Sequence, residues 1–151
     1  MSDGTIRSER AAEPVGPYPH ARRVGNFIFL SGVGPRQRGN KAIPGAKVDA
    51  AGNLIDYDIE AEIRSCFANV RAVLTDCGAR WEDIVDITVF MTNMQRDWAT
   101  YSRVYAEFFP ANGTGGQPTR TTLEIKGLPQ GGNTPIHFEV KVIAVFANHA
   151  R

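Results

Sequence analysis

The fold is decided by residues 58–91, DIEAEIRSCFANVRAVLTDCGARWEDIVDITVFM. Apolar side chains recur there every three or four residues, which predicts a helix with one buried face: Ile59, Ile63, Cys66, Phe67, Val70, Val73, Leu74 and Cys77. Asp56 or Asp58 can cap the start of this helix, and Gly78 stands where a left-handed residue ends one. The stretch 84–91 then alternates, which predicts a strand with one apolar side: Val85, Ile87, Val89 and Met91.

Further elements lie on both sides of this stretch. Residues 24–31 form an apolar run that predicts a buried strand, and the loop 33–56 has room for a short hairpin. A second helix is predicted over about 97–109, with an inward face of Trp98, Tyr101, Val104, Tyr105 and Phe108. Two more strands are indicated by alternation at 121–125 and 136–142. The order β-β-α-β-α-β-β predicts an α+β fold in which two helices cover one face of a mostly antiparallel sheet. The other face must then be polar or meet another subunit.

Composition limits the class of protein. The chain has 151 residues, and 17 Lys and Arg against 16 Asp and Glu give a net charge of +1. This length predicts one domain spanning residues 1–151, and the charge balance argues against a nucleic-acid partner. No apolar run approaches the length of a membrane span, and the polar start MSDGTIRSER differs from a signal peptide. We therefore expect a cytoplasmic protein that does not bind a membrane.

The cysteines and histidines do not predict a metal site or a cofactor. Cys66 and Cys77 fall eleven residues apart on the predicted helix, about 16 Å at 1.5 Å per residue, which is too far for a disulfide. No CxxC motif is present, and His20, His137 and His149 lack metal-ligand spacing. We expect the protein to work without a cofactor and without a metal.

Several segments, in order along the chain, resemble the reactive-intermediate deaminase (RidA/YjgF) family. They are GPYPHARRVGNFIFLSG (16–32), residues 58–91, VYAEFF (104–109), PTRTTLEIKGLP (118–129) and FEVKVIAV (138–145). The resemblance implies a chorismate mutase-like (YjgF) fold and a homotrimer with active sites in the clefts between subunits. Whether two trimers pair into a hexamer is left open.

Two residues match the family's catalytic positions. Arg120, in Pro118-Thr119-Arg120, matches the arginine that binds the substrate carboxylate, and a guanidinium suits that role because it offers a planar fork of donors. Glu139 on the last strand matches the family's glutamate, and a carboxylate there can exchange protons with water and with departing ammonia. The alternatives are a surface ion pair for Arg120 and a solvated strand face for Glu139.

Four further residues are candidates for substrate binding. Tyr18 and Gly32 match positions that line the family's cleft, and Thr122 stands where many members have Ser, Thr or Cys. Tyr18 can equally be a packed side chain, and Gly32 a simple turn. His20 is slightly favoured to bind a second substrate carboxylate, among seven candidates that also include Arg22, Arg23, Arg36, Arg38, Lys41 and His137.

The need for a second cation comes from the substrate that the resemblance implies. The loop 33–56 and the segments GPYPHARR and GGNTP are most similar to family members that hydrolyse the dicarboxylate 2-aminomuconate to 4-oxalocrotonate (2-oxohex-3-enedioate) and ammonia, in bacterial aromatic catabolism. Two alternatives stay open. One is a broad 2-imino acid deaminase, and the other is a non-catalytic trimer that binds carboxylates. Loops 33–56 and 130–135 are longer than is usual in the family.

Overall fold

The computed structural model describes residues 3–130, 132 and 134–147. Its β-strands are β1 (Thr5–Ile6), β2 (Ala21–Val24), β3 (Phe27–Leu30), β4 (Lys47–Val48), β5 (Leu54–Asp56), β6 (Ile84–Met91), β7 (Thr119–Glu124) and β8 (Phe138–Val145). Its α-helices are α1 (Ile59–Asp76) and α2 (Met94–Phe108), and a short 3-10 turn covers Trp81–Asp83. Within the described part of the chain, no helix is long and apolar enough to cross a membrane.

Six strands form one sheet in the order β1-β2-β3-β8-β6-β7, and both helices lie on the same face of it. All neighbouring strands in this sheet are antiparallel except β6 and β7, which run parallel. The core lies between sheet and helices, and its largest fully buried side chains include Tyr101, Phe67, Phe138, Ile28, Leu30 and Ile63. The predicted α+β architecture, with two helices on one face of a mostly antiparallel sheet, is therefore confirmed.

Helix α1 begins and ends where its sequence predicts. The Asp58 side chain accepts hydrogen bonds from the backbone N–H groups of Glu60 and Ala61 at 3.0 and 3.4 Å, which satisfies donors that the first turn leaves unpaired. Gly78 follows the helix with a φ of +79°, a conformation that costs glycine little. The predicted apolar stripe is buried up to Leu74, and both cysteines are free.

Three details differ from the sequence prediction. The prediction of a single strand over residues 24–31 is wrong, because Gly25 (φ +61°) and Asn26 make a two-residue hairpin turn between β2 and β3. Val85 is exposed, because an irregularity in the β6–β8 pairing turns Ile84 into the core instead. Trp98 is also exposed, while its neighbour Asp97 is buried. The hairpin predicted within residues 33–56 is confirmed as β4 and β5.

The sheet face opposite the helices is partly apolar. Phe27 and Phe29 on β3 are stacked at a centroid distance of 6.1 Å and are 50% and 37% exposed. Glu139 and Lys141 on β8 lie on the same face, and the Lys141 ammonium donates to the carbonyl of Leu30. We refer to this surface as the open face.

Candidate active site

A narrow cleft of about 40 Å³ lies at the end of β3, where the chain leaves the sheet. Among the residues lining it are three of the predicted substrate-binding residues, Tyr18, His20 and Gly32, together with Arg36. They come from two separate segments, the one before β2 and the one after β3. The antiparallel pairing of β2 with β3 is what brings these segments together.

Glu139 lies directly against Gly32. A Cβ atom added at Gly32 would be 2.8 Å from Oε2 of Glu139, so a glycine is needed for the carboxylate to occupy this position. Burial raises the pKa of Glu139 above its ordinary value, and the positive charge of Arg36 partly opposes that rise. A raised pKa makes a carboxyl group better suited to take up a proton and return it than an ordinary exposed one is.

His20 lines the cleft, but its ring is already hydrogen-bonded on both sides. Nδ1 accepts from the backbone N–H of Ser8 at 2.9 Å, and Nε2 lies 2.8 Å from the carbonyl oxygen of Ala12. These two bonds fix a neutral tautomer, since Nδ1 acts as acceptor and Nε2 as donor. The ring therefore offers no free N–H to a substrate carboxylate, contrary to the predicted contact, and His20 instead joins the N-terminal segment to β2.

Arg36 is the cation of the cleft without a fixed partner. Its Nε atom is buried, and no residue of the described chain accepts a hydrogen bond from it. The nearby Glu13 is paired instead with Arg38, at 3.2 Å. A buried N–H without an acceptor is unfavourable, so this guanidinium is suited to bind an anion.

Arg120 lies elsewhere, on the exposed edge strand β7. Its guanidinium lies over the rings of Tyr105 and Tyr101 of α2, at 4.7 and 5.6 Å from the ring centroids. The Tyr101 hydroxyl is 2.9 Å from Oγ1 of Thr122, the next residue on the same side of β7. The two tyrosines thus orient Arg120 while leaving its exposed donors available, and Thr122 is fixed beside it.

Within one chain, Arg120 and Glu139 do not meet. Arg120 on β7 pairs with Ile87 on β6, which in turn pairs with Val142 on β8. The Arg120 side chain therefore lies with theirs on the sheet face that the helices cover. Glu139 pairs with Phe90 and belongs to the open face, because side chains alternate along each strand. The structure therefore places Gly32 and Glu139 together on one side of the sheet and Arg120 with Thr122 on the other, as two half-sites. Tyr18 lines the same cleft as Gly32.

Sequence reasoning missed a buried polar network beside β8. Glu62 of α1 is fully buried and accepts from the backbone N–H and from Nδ1 of His137, both at 2.7 Å. The Tyr57 ring stacks on His137 at 3.5 Å, and its hydroxyl donates to Asp97 at 2.7 Å. The alternation at 136–142 placed His137 on the solvated face, whereas it precedes β8 and turns inward. An acidic residue in the middle of an apolar helix stripe was the available signal.

No group of three or more His, Cys, Asp or Glu side chains is arranged to hold a metal ion in residues 3–130, 132 and 134–147. His149 lies outside the described residues, as do residues 131 and 133 of the long loop at 130–135.

Comparison with known proteins establishes the family. A family model described as Endoribonuclease L-PSP matches residues 8–146. The chain belongs to this family. A RutC family protein of Pyrococcus abyssi is 31% identical over 131 residues, which cover 86% of this chain and 90% of the relative.

A relative named as a deaminase and a solved structure extend the comparison. A Dermatophagoides farinae protein named 2-iminobutanoate/2-iminopropanoate deaminase is 30% identical over 132 residues, covering 87% of this chain and 90% of that protein. The crystal structure of Escherichia coli TdcF with bound serine matches with a TM-score of 0.77 at 29% identity, covering 95% of this chain and 98% of that one. The resemblance to the RidA/YjgF family is therefore confirmed.

Proposed function

We propose that this protein is a hydrolytic deaminase of 2-imino and 2-enamino acids, which releases ammonia and a 2-oxo acid. The observation that carries the proposal is the half-buried Glu139 carboxylate, set against Gly32 at the edge of a cleft, with a raised pKa. The printed name of the Dermatophagoides farinae relative supports the same reaction class.

Glu139 would carry the proton transfers. As a carboxylate it takes a proton from water while the oxygen attacks C2 of the imine, which gives a carbinolamine. It then returns the proton to nitrogen, the C–N bond breaks, and ammonia leaves as the C2 carbonyl forms. An enamine substrate first gains a proton at carbon to become the imine. The overall reaction consumes one water and needs no oxidant or reductant.

Arg120 would bind the carboxylate next to C2, and this requires a second subunit. The two half-sites lie on opposite faces of the sheet, so a substrate that touches both must lie between two chains. A cyclic homotrimer, as the family resemblance implies, supplies such clefts between each pair of neighbours. The apolar pair Phe27 and Phe29 on the open face supports the proposal, since a subunit packed there would cover it. Pairing of trimers into a hexamer stays open.

Within this reaction class, 2-aminomuconate is the specific substrate that we propose. It is an enamine with two carboxylates, so hydrolysis needs the proton addition at carbon described above and a second anion-binding group. Support comes from the similarity of residues 16–23 and 33–56 to members acting on it. Substrate preference decides between this proposal and a broad deaminase. Faster turnover of 2-aminomuconate than of 2-iminobutanoate is expected, and equal turnover would favour the broad alternative.

The experiment that tests the function measures ammonia release from purified protein with an imine generated in place by an amino-acid oxidase. Wild-type protein should accelerate release, and Arg120→Ala and Glu139→Ala should abolish the acceleration without dissociating the trimer. Lys126→Ala, an exposed change near β7, is the matched control and should retain full activity. Binding of 2-oxo acids without turnover of any imine would instead favour a non-catalytic carboxylate-binding trimer.

A further inference from the structure

We propose that Arg36 binds a second, distal carboxylate of the substrate and makes this site selective for 2-imino and 2-enamino dicarboxylates. The proposal rests on the deaminase function above and adds the substrate class to it. It concerns a side chain that no proton-transfer step uses.

The first argument is that Arg36 has hydrogen-bond donors without an acceptor among the described residues. Its Nε is buried without an acceptor among the described residues, although buried N–H groups are normally paired. Among the described residues, no hydrogen bond or ion pair of the two terminal guanidinium nitrogens is found either, and Arg36 is only partly buried. These terminal nitrogens can bind a ligand carboxylate through charge-assisted bonds. Glu13, a carboxylate that lines the same cleft, is already paired with Arg38.

The second argument is elimination of other cations near the cleft. His20 uses both ring nitrogens, and His137 is bound to Glu62. The Arg38 guanidinium donates to the carbonyls of Ala11 and Ser8 as well as to Glu13. Arg23 donates to the carbonyl of Gly25 and covers the ring of Phe146. Lys41 lines only a second cavity, described below, and Arg22 lines neither. Of the seven candidates, Arg36 combines a place in the cleft with unused donors.

The third argument is position. Arg36 lies between the cleft at Gly32 and a second, wider cavity that it also lines. The rest of that cavity is formed by three segments: residues 12–15, residues 37–43 and the loop containing Gly132 and Thr134. The last two segments belong to the two loops that are longer than is usual in the family. A substrate whose C2 reaches Glu139 can therefore extend its far end past Arg36 into space that these loops enclose.

Two six-carbon imines that differ in one carboxylate provide the test. An amino-acid oxidase makes 2-iminoadipate from 2-aminoadipate and 2-iminohexanoate from norleucine, and semicarbazide traps the imine that the deaminase does not consume. Wild-type protein should prefer 2-iminoadipate. At a pH above the acidic limb of both proteins, Arg36→Gln should lower kcat/KM for 2-iminoadipate about tenfold or more, the loss expected for a charge-assisted bond, and change 2-iminohexanoate less than about twofold.

Two control variants separate the loss of the Arg36 contact from the general effect of removing an arginine. Arg7→Gln removes an exposed arginine that lines neither cavity, and it should leave the turnover of both substrates unchanged. Arg36→Lys keeps the charge but loses the fork, and should retain more activity on 2-iminoadipate than Arg36→Gln does. An equal loss on both imines, or no loss on either, would overturn the assignment of Arg36.

Direct binding separates this inference from the proposed function. Calorimetry with adipate and hexanoate should show that wild-type protein binds adipate more tightly and that Arg36→Gln removes the difference. If neither imine is turned over but this preference is found, the deaminase proposal fails and the anion site stands. If both imines are turned over but adipate and hexanoate bind wild-type protein equally, the anion site fails and the deaminase stands. Because this comparison also uses wild-type protein, it remains decisive if Arg36→Gln does not fold.

Discussion

Arg120 and Glu139 lie on opposite faces of one sheet, two strands and three residues apart, which corresponds to a Cα separation of about 14 Å. Each is fixed by its own surroundings: Arg120 by the tyrosines of α2, and Glu139 by close contact with Gly32. No side-chain rotation carries one through the sheet to the other. Joint action on one substrate therefore requires two copies of the chain.

Subunit mixing tests that requirement. Arg120→Ala and Glu139→Ala should each be inactive alone, but trimers reassembled from an equal mixture should regain about a quarter of wild-type activity, because one site in four then combines an intact Arg120 with an intact Glu139. Ammonia release after co-refolding measures this. Mixing either variant with the double variant is the control and should give no recovery. A mixture as inactive as its components would argue for sites built within one chain.

Gly32→Ala should disable the site without destabilising the fold. The added Cβ would lie 2.8 Å from Oε2 of Glu139, so the carboxylate must move. A displacement of this size at a reacting group is expected to lower kcat about tenfold or more. Gly127→Ala is the matched control, since a Cβ at Gly127 meets no atom within 4 Å. Wild-type kcat in Gly32→Ala would show that Glu139 does not act from this position.

Local sequence signals predicted the parts of the fold that depend on local structure. The Asp58 cap, the stripe of α1 and the glycine after it are encoded within a few residues of each other, and each was found as predicted. The hairpin at Gly25 was missed because the apolar residues on both sides of the turn form one continuous run. Val85 was misplaced because the irregularity depends on β8, which is far away in sequence.

The sequence also predicted only part of the candidate site. Residue type and family resemblance pointed to Arg120 and Glu139, but strand order decides which face each occupies, and no local pattern contains it. His20 and Arg36 were both plausible cations by residue type. Their difference lies in the hydrogen bond that the histidine ring accepts from Ser8 and the one that it donates to Ala12, which depend on how the N-terminal segment packs.

The pH dependence of activity should report the charge of Arg36. Glu139 must be ionised to take a proton from water, so its pKa sets the acidic limb of kcat/KM. Burial raises that pKa and Arg36 lowers it, so Arg36→Gln should move the acidic limb to higher pH, measured with a monocarboxylate imine so that distal binding does not interfere. Arg7→Gln should leave the limb in place. An unmoved limb in Arg36→Gln would mean that another group titrates.

The same raised pKa predicts an effect on stability. A carboxyl whose pKa is higher in the folded protein stabilises the fold below its unfolded pKa, and this contribution is lost as pH rises through the folded pKa. Glu139→Gln removes the cost of the buried charge, so its melting temperature should exceed that of wild type above neutral pH. The difference should shrink as the pH falls toward 4. Glu124→Gln, on the exposed edge of β7, serves as the comparison and should show a smaller pH-dependent difference.

The Glu62–His137 pair should be important for stability. Glu62 is fully buried, and Glu62→Ala would leave both the backbone N–H and the ring of His137 without their acceptor. Loss of a buried, charge-assisted pair predicts a fall of about 3 kcal/mol in the free energy of unfolding. Denaturant titration measures it. Glu60→Ala is the matched control from the same helix, because Glu60 makes partly exposed ion pairs with Arg64 and Arg103, and its loss should lower the free energy of unfolding much less. Equal losses in the two variants would show that the buried pair contributes no more than a surface one.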